Sequence, residues 1–255
     1  MYLRVSSWLN LVMQKHKPLI ILLLTTITVL LTSAPITSIE LTHSKNDCVL
    51  LLHGLGRTHR SMKKIQTALE TQGYDVKNIN YPSRKLSINE LADTIISPAI
   101  LSCDASEKIH FITHSLGGII TRVYLEKNKI NSLGKVIMLA PPNNGTELAE
   151  KLNKLWFPKY FLGPSLLQLS SKKDSFVNQL SLPTYTVGII AGTSSLNPLS
   201  SYLVPGKDDG KVSVANATLP NIPIKLVSEN HTWIMKSPEV IDNIIYFLNN
   251  DEFLD

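Results

Sequence analysis

From Cys48 onward, short runs rich in Val, Ile and Leu alternate with longer segments whose apolar residues recur at helical spacing, and this alternation constrains the fold more than any other feature. Strand-like runs fall at 48–52, 75–80, 109–113, 135–140, 185–191 and 224–227. Helical patterns fill 61–72, 88–101, 116–127 and 239–249, with Gly73 placed to close the first and Pro238 to open the last. Parallel strands need a crossover between them, and helices of this length supply it. The expected fold class is therefore α/β, with a mostly parallel central sheet and helices on both faces. At 255 residues, 44% hydrophobic and 18% charged, the chain has enough apolar surface for one large core. No internal repeat is evident.

The N-terminus reads differently. Lys15-His16-Lys17-Pro18 precedes an apolar run from Leu19 to Leu31, followed by the small residues Thr32-Ser33-Ala34. Residues 1–34 are expected to be an export signal or, if Trp8 to Met13 extends the apolar stretch, an N-terminal membrane anchor; a buried cytosolic helix is the third reading. Met13 is an alternative start. A linker at 35–46 then leads to a single domain at 47–255, so the expected location is exported, periplasmic or secreted, or anchored to the membrane. Three of the five net positive charges come from Arg4, Lys15 and Lys17, leaving +2 for the remainder. With no basic run interleaved with aromatics, a nucleic-acid partner is not expected.

Only two cysteines occur, Cys48 and Cys103, each at or shortly before the start of a predicted strand. A disulfide at the N-terminal edge of the sheet and two independent buried thiols are both compatible with that placement. Asn-x-Ser/Thr sequons begin at Asn144, Asn216 and Asn230, two of them near the candidate site, which favours a host without N-glycosylation. Residues 148–182 concentrate large apolar side chains, including Trp156, Phe157, Tyr160 and Phe161. They suit either a cap over an acyl pocket or a helix packed on the sheet.

The chemistry centres on Lys108-Ile109-His110-Phe111-Ile112-Thr113-His114-Ser115-Leu116-Gly117-Gly118. Here a serine sits between an apolar strand and a helix start, as in a G-x-S-x-G turn with Thr113 in place of the first glycine. A serine nucleophile needs a base, a carboxylate to orient that base and donors for the oxyanion. His231 follows the last strand and is the candidate base. Asp209, before Gly210, is the preferred carboxylate, with Asp208 the alternative. The first strand runs into His53-Gly54-Leu55-Gly56-Arg57, whose glycines permit a sharp turn with exposed N–H groups. The backbone N–H groups of Leu55 and Leu116 are the candidate oxyanion donors. The Gly-Lys-Ser/Thr ending of a phosphate-binding loop is absent.

Taken together, His53-Gly54-Leu55-Gly56, Thr113 to Gly118, Asp209-Gly210-Lys211-Val212 and Asn230-His231-Thr232 resemble the α/β-hydrolase superfamily, in particular its bacterial lipase and esterase-like members. Ala140-Pro141-Pro142-Asn143-Asn144-Gly145-Thr146 is similar to a segment common in those lipases. The resemblance spans about residues 47–249. It implies a Ser115–Asp209–His231 triad, an acyl-enzyme intermediate, an ester substrate of small-molecule or lipid-like type, and no metal or organic cofactor. Acyltransferase or thioesterase activity on the same triad is the alternative, and a non-catalytic binding protein on this fold is a third reading.

Overall fold

The computed structural model describes residues 46–103, 106–154, 163–196 and 198–255. The N-terminal segment 1–34, most of the 35–46 linker and the aromatic stretch at 155–162 lie outside them.

Among the described residues six strands form the sheet: β1 (Cys48–Leu52), β2 (Asp75–Ile79), β3 (Ile109–His114), β4 (Leu133–Leu139), β5 (Val187–Gly192) and β6 (Ile224–Val227). Their order is β2-β1-β3-β4-β5-β6, and every neighbouring pair is parallel. The helices among the described residues are α1 (Lys63–Thr71), α2 (Ile88–Leu101), α3 (Leu116–Lys127), α4 (Glu147–Asn153), α5 (Pro164–Leu167), α6 (Pro198–Leu203), α7 (Val214–Ala217) and α8 (Pro238–Asn250). A 3-10 turn at His59–Met62 occupies the start of the first predicted helix. Gly73, at φ 94°, follows the end of α1, and Pro238 takes the first position of α8. Ser87 and Glu90 form a reciprocal capping box at the start of α2.

Alternation along the strands divides the core in two. Cys48, Leu50, Leu52 and Phe111 pack with α2 and α3, whereas Val49, Leu51 and Ile112 pack with α1 and α8. Both faces of β1 are fully buried, which is why its sequence is a continuous apolar run. The chain leaves β1 toward β2 through α1 on one face and leaves β3 toward β4 through α3 on the other. The loops after β1 and β3 thus diverge around a crevice at the C-terminal edge, where α/β sheets bind ligands.

The opposite edge is tied down by polar and covalent contacts. Cys48 and Cys103 are disulfide-bonded, joining β1 to the chain just beyond α2, with Cα atoms 5.7 Å apart. The disulfide reading, one of two open to the sequence, is the one adopted. His110 enters the β3–β4 ladder: its Nδ1 accepts the Lys135 N–H at 2.9 Å, and the register shifts between Ile109 and Phe111. Gly134 makes room for that ring, since a Cβ there would lie 2.6 Å from it. Among the described residues no helix is long and apolar enough to cross a membrane.

The disulfide closes a loop of 55 residues, for which chain entropy alone gives about 4 kcal/mol, and engineered cases usually fall short of that figure. Urea unfolding in dithiothreitol, or of a Cys48→Ala/Cys103→Ala protein, is expected to show a loss of about 2–4 kcal/mol. An unchanged midpoint would mean that the bond does not stabilise the fold.

Candidate active site

Ser115 occupies the junction of β3 and α3 with φ 53° and ψ −120°. A side chain in this region of backbone space is strained, and such strain persists only where the surroundings enforce it. Two contacts do so here. The Ser115 N–H donates to the Leu139 carbonyl at 2.9 Å, and the Gly118 N–H donates back to the Ser115 carbonyl at 3.0 Å. On the helix side, a Cβ on Gly117 would lie 2.6 Å from the Leu52 carbonyl oxygen and 3.0 Å from that of His53. Both obstacles are backbone, so this glycine is obligatory. Thr113, standing where the family pattern has glycine, is completely buried, and its hydroxyl donates to the Ile137 carbonyl at 3.3 Å.

The loop after β6 brings His231 to the serine. The His231 Nε2 lies 3.0 Å from Ser115 Oγ, and its Nδ1 lies 2.6 Å from Asp209 Oδ2. A carboxylate only accepts, so Nδ1 carries the proton and Nε2 is free to take one from the hydroxyl. Asp209 is itself fixed, because Oδ1 accepts the N–H groups of Lys211 and Val212, both at 2.9 Å. Its backbone carbonyl also accepts the His231 N–H at 2.9 Å. Asp208 instead shapes the turn, where its Oδ1 accepts the Gly210 N–H at 2.7 Å and the Ser201 hydroxyl at 2.9 Å. The sequence preference for Asp209 thus agrees with the geometry.

The first-strand loop is clamped from β2's side. His53 stacks on Tyr81 with ring centres 4.0 Å apart, and the Tyr81 hydroxyl donates to the His53 carbonyl. Gly56, at φ 68°, donates its N–H to Ser83 Oγ at 3.0 Å. Gly54 must lack a side chain, since a Cβ would meet His114 Nδ1 at 2.7 Å. Between these glycines Leu55 reaches the same cleft as Ser115 and His231. Neither the Leu55 nor the Leu116 N–H donates to any group among the described residues. Both are therefore available to an incoming acceptor.

That cleft encloses about 260 Å³. Leu148, Ala149 and Leu152 of α4, with Leu166 and Leu169 from α5 and just after it, make one wall apolar. These five residues belong to the 148–182 segment. Thr146 anchors the wall by capping α4 through the Leu148 N–H and by donating its hydroxyl to the Lys211 carbonyl. The serine, histidine and carboxylate side chains here form a proton-transfer line beside an apolar recess with free N–H donors. Such an arrangement can activate a hydroxyl for attack on a carbonyl. Among the described residues no group of three His, Cys, Asp or Glu side chains converges on a metal position.

Sequence reasoning assigned no role to His114, although it adjoins the serine. Its Nε2 donates to the His231 carbonyl at 3.0 Å, and the two rings lie 4.7 Å apart. The strand period points His114 away from its neighbours, but only the sheet order reveals which loop it meets. Arg57 and Lys211 also line the cleft. Their signal was adjacency to two of the motifs.

The sheet order and the strained serine turn at its C-terminal edge are those of the α/β-hydrolase fold, and solved structures with the same architecture agree. The propeptide form of Bacillus licheniformis lipase BlEst2 superposes with a TM-score of 0.67 at 17% identity, covering 84% of this chain and 52% of that one. The metagenomic carboxyl esterase MGS0156 gives 0.62 at 18%, covering 83% and 72%. Legionella pneumophila phospholipase PlaB gives 0.56 at 22%, covering 68% and 45%. The chain therefore spans about half the length of the lipase propeptide form and of the phospholipase, and at these identities the likeness is one of fold. By sequence, residues 30–157 match the family described as "Domain of unknown function (DUF7379)", and the chain belongs to that family. No curated protein matches it.

Three of the buried histidines, His53, His110 and His114, make stability depend on pH. Burial lowers the pKa of His53, His110 and His114 below the ordinary 6.5, most strongly for His114, where the His231, Arg57 and Lys211 charges add to the effect. Below pH 6.5 the unfolded chain takes up protons that the folded chain refuses, so stability is full above that value and declines as pH falls toward the depressed values. Each such group contributes a slope of up to about 1.4 kcal/mol per pH unit. The thermal midpoint should therefore drop steadily between pH 7 and 5, and His114→Asn should flatten the dependence. A midpoint constant over that range would contradict the burial argument.

Proposed function

We propose that this protein is a serine hydrolase of carboxylic esters, acting through an acyl-enzyme intermediate. The observation that carries the reading is the line from Ser115 Oγ to His231 Nε2 to Asp209, at 3.0 and 2.6 Å, opening on an apolar cleft. In this reading His231 accepts the Ser115 proton as the oxygen attacks the ester carbonyl, and returns it to the departing alcohol. Asp209 holds His231 in the required tautomer and stabilises the imidazolium. The N–H groups of Leu55 and Leu116 bind the oxyanion, and water then enters by the reverse proton path. The strained backbone at Ser115 keeps the nucleophile forward of the sheet, so little reorganisation precedes attack.

The names of the structural neighbours, a lipase, a carboxyl esterase and a phospholipase, support an ester substrate. The wall from Leu148 to Leu169 supports an apolar acyl group. A thioester substrate or an acceptor alcohol would use the same residues, and product analysis with added alcohols separates hydrolysis from transfer. We further propose that 47–255 is the catalytic domain and 1–34 an export or anchoring segment. The Cys48–Cys103 disulfide supports that location, because such bonds persist chiefly in oxidising compartments.

A fluorophosphonate probe is expected to label the protein at Ser115, with labelling lost in Ser115→Ala. Asp209→Asn should lower kcat for nitrophenyl esters by about 10⁴, because the amide favours the wrong histidine tautomer. Persistent labelling of Ser115→Ala, or full activity of Asp209→Asn, would overturn the assignment.

A further inference from the structure

Two cationic residues line the cleft without a carboxylate partner among the described residues. Arg57 extends from the loop after β1, and its Nη2 donates to Thr232 Oγ1 at 2.9 Å, next to His231. This contact uses one of five guanidinium donors. Lys211 follows the Asp209-Gly210 turn; its N–H is bonded to Asp209 and its carbonyl to Thr146, so its main chain is fixed where the residue lines the cleft. No carboxylate lies within ion-pair distance of either cation among the described residues. The nearby Asp209 oxygens are already taken by two N–H groups and His231.

The electrostatics agree with a missing counter-charge. Burial first, then the Arg57 charge, lower the Lys211 pKa, while Asp209 pulls the other way. Lys211 as a residue also keeps open surface, so the effect is screened by solvent. Both cations act as well on the buried His114 beneath the site. Like charges that act on one another are unfavourable until an anion joins them.

Their position indicates which part of a substrate carries that anion. A proton returned by His231 goes to the leaving oxygen, so the alcohol portion lies on the His231 side. Arg57 reaches that side through Thr232, and Lys211 lines both the main cleft and an adjoining hollow of about 310 Å³ formed with Ser195, Asn230, His231 and Thr232. The apolar wall begins at Leu148, which borders the same hollow, and runs along α4 and α5 to Leu169. We propose that Arg57 and Lys211 form an anion subsite that selects esters whose alcohol portion bears a carboxylate or phosphate group. This rests on the serine hydrolase reading for its orientation.

The test uses 4-nitro-3-(butanoyloxy)benzoate and the corresponding neutral benzamide, which differ in charge but share acyl group and leaving oxygen. Turnover should favour the carboxylate by about tenfold or more in kcat/KM, at roughly one decade per charge-assisted contact. The ratio should fall toward one in Arg57→Gln/Lys211→Gln. Charge reversal in Arg57→Glu/Lys211→Glu should transfer the preference to a trimethylammonium-bearing ester, an inversion that a structural role for these residues would not produce. Equal handling of carboxylate and amide by the unsubstituted protein, or a ratio unmoved by both double variants, would overturn the proposal. Calorimetric binding of the same two esters to Ser115→Ala separates the two readings. Selective binding of the carboxylate without fluorophosphonate labelling of the unsubstituted protein leaves the anion subsite standing and removes the hydrolase. Labelling without selective binding does the reverse. With the subsite supported, monomeric dibutanoylglycerol phosphate against long-chain phosphatidate in phosphatidylcholine vesicles tells a soluble ester from a lipid headgroup by which is turned over faster.

Discussion

The site depends on one close approach of two backbones. Gly117, in the first turn of α3, lies so near the carbonyls of Leu52 and His53 that even a methyl group would overlap the Leu52 oxygen. That contact sets the separation between the end of β1 and the start of α3. It thereby places the Leu55 loop and the Ser115 turn around a single cleft, at the crevice where the sheet order reverses direction. The apolar side chains of β1 and β3 supply the energy that holds these ends together, and Gly117 supplies the space.

Around that contact the polar groups are positioned mainly by backbone. Asp209 is oriented by two N–H groups of its own turn. His231 is held by its main chain at both ends, through the Asp209 carbonyl and the His114 ring. His53 is gripped by Tyr81 through a stack and a hydrogen bond to its carbonyl. Groups fixed in this way need little rearrangement when charge develops on a substrate, which is where preorganised sites obtain most of their effect. The same network keeps His114 neutral, because a second positive charge beneath His231 would be both desolvated and repelled.

The cleft is mixed in character. Leucines from the segment after β4 line it together with the cations Arg57 and Lys211. Arg122 braces the apolar side from beneath, bridging α3 to the Asn143 carbonyl and side chain and to the Leu180 and Ser181 carbonyls. A buried guanidinium without a carboxylate is stable here because carbonyl and amide oxygens converge on it.

Much of this was readable from local signals. Periodicity placed all six strands and the four long helices to within a few residues, because burial on one face or two imposes a period that does not depend on the rest of the chain. The serine turn, the Asp-Gly turn and the His-Gly-x-Gly loop were readable as short motifs, and at Gly210 and Gly56 the positive φ is a local demand for glycine, whereas Gly117 answers a tertiary contact with β1. Strand order was not local, and whatever depended on it escaped. The pairing of Cys48 with Cys103 required β1 and β3 to be neighbours, and the alternative of free thiols stood until they were. The contact of Arg57 with Thr232 joins residues 175 positions apart. The sequence by itself determined the elements, the class of fold and the three side chains in their chain order. Only the tertiary structure decided which groups those side chains meet, because strand order and register bring distant residues within hydrogen-bonding distance.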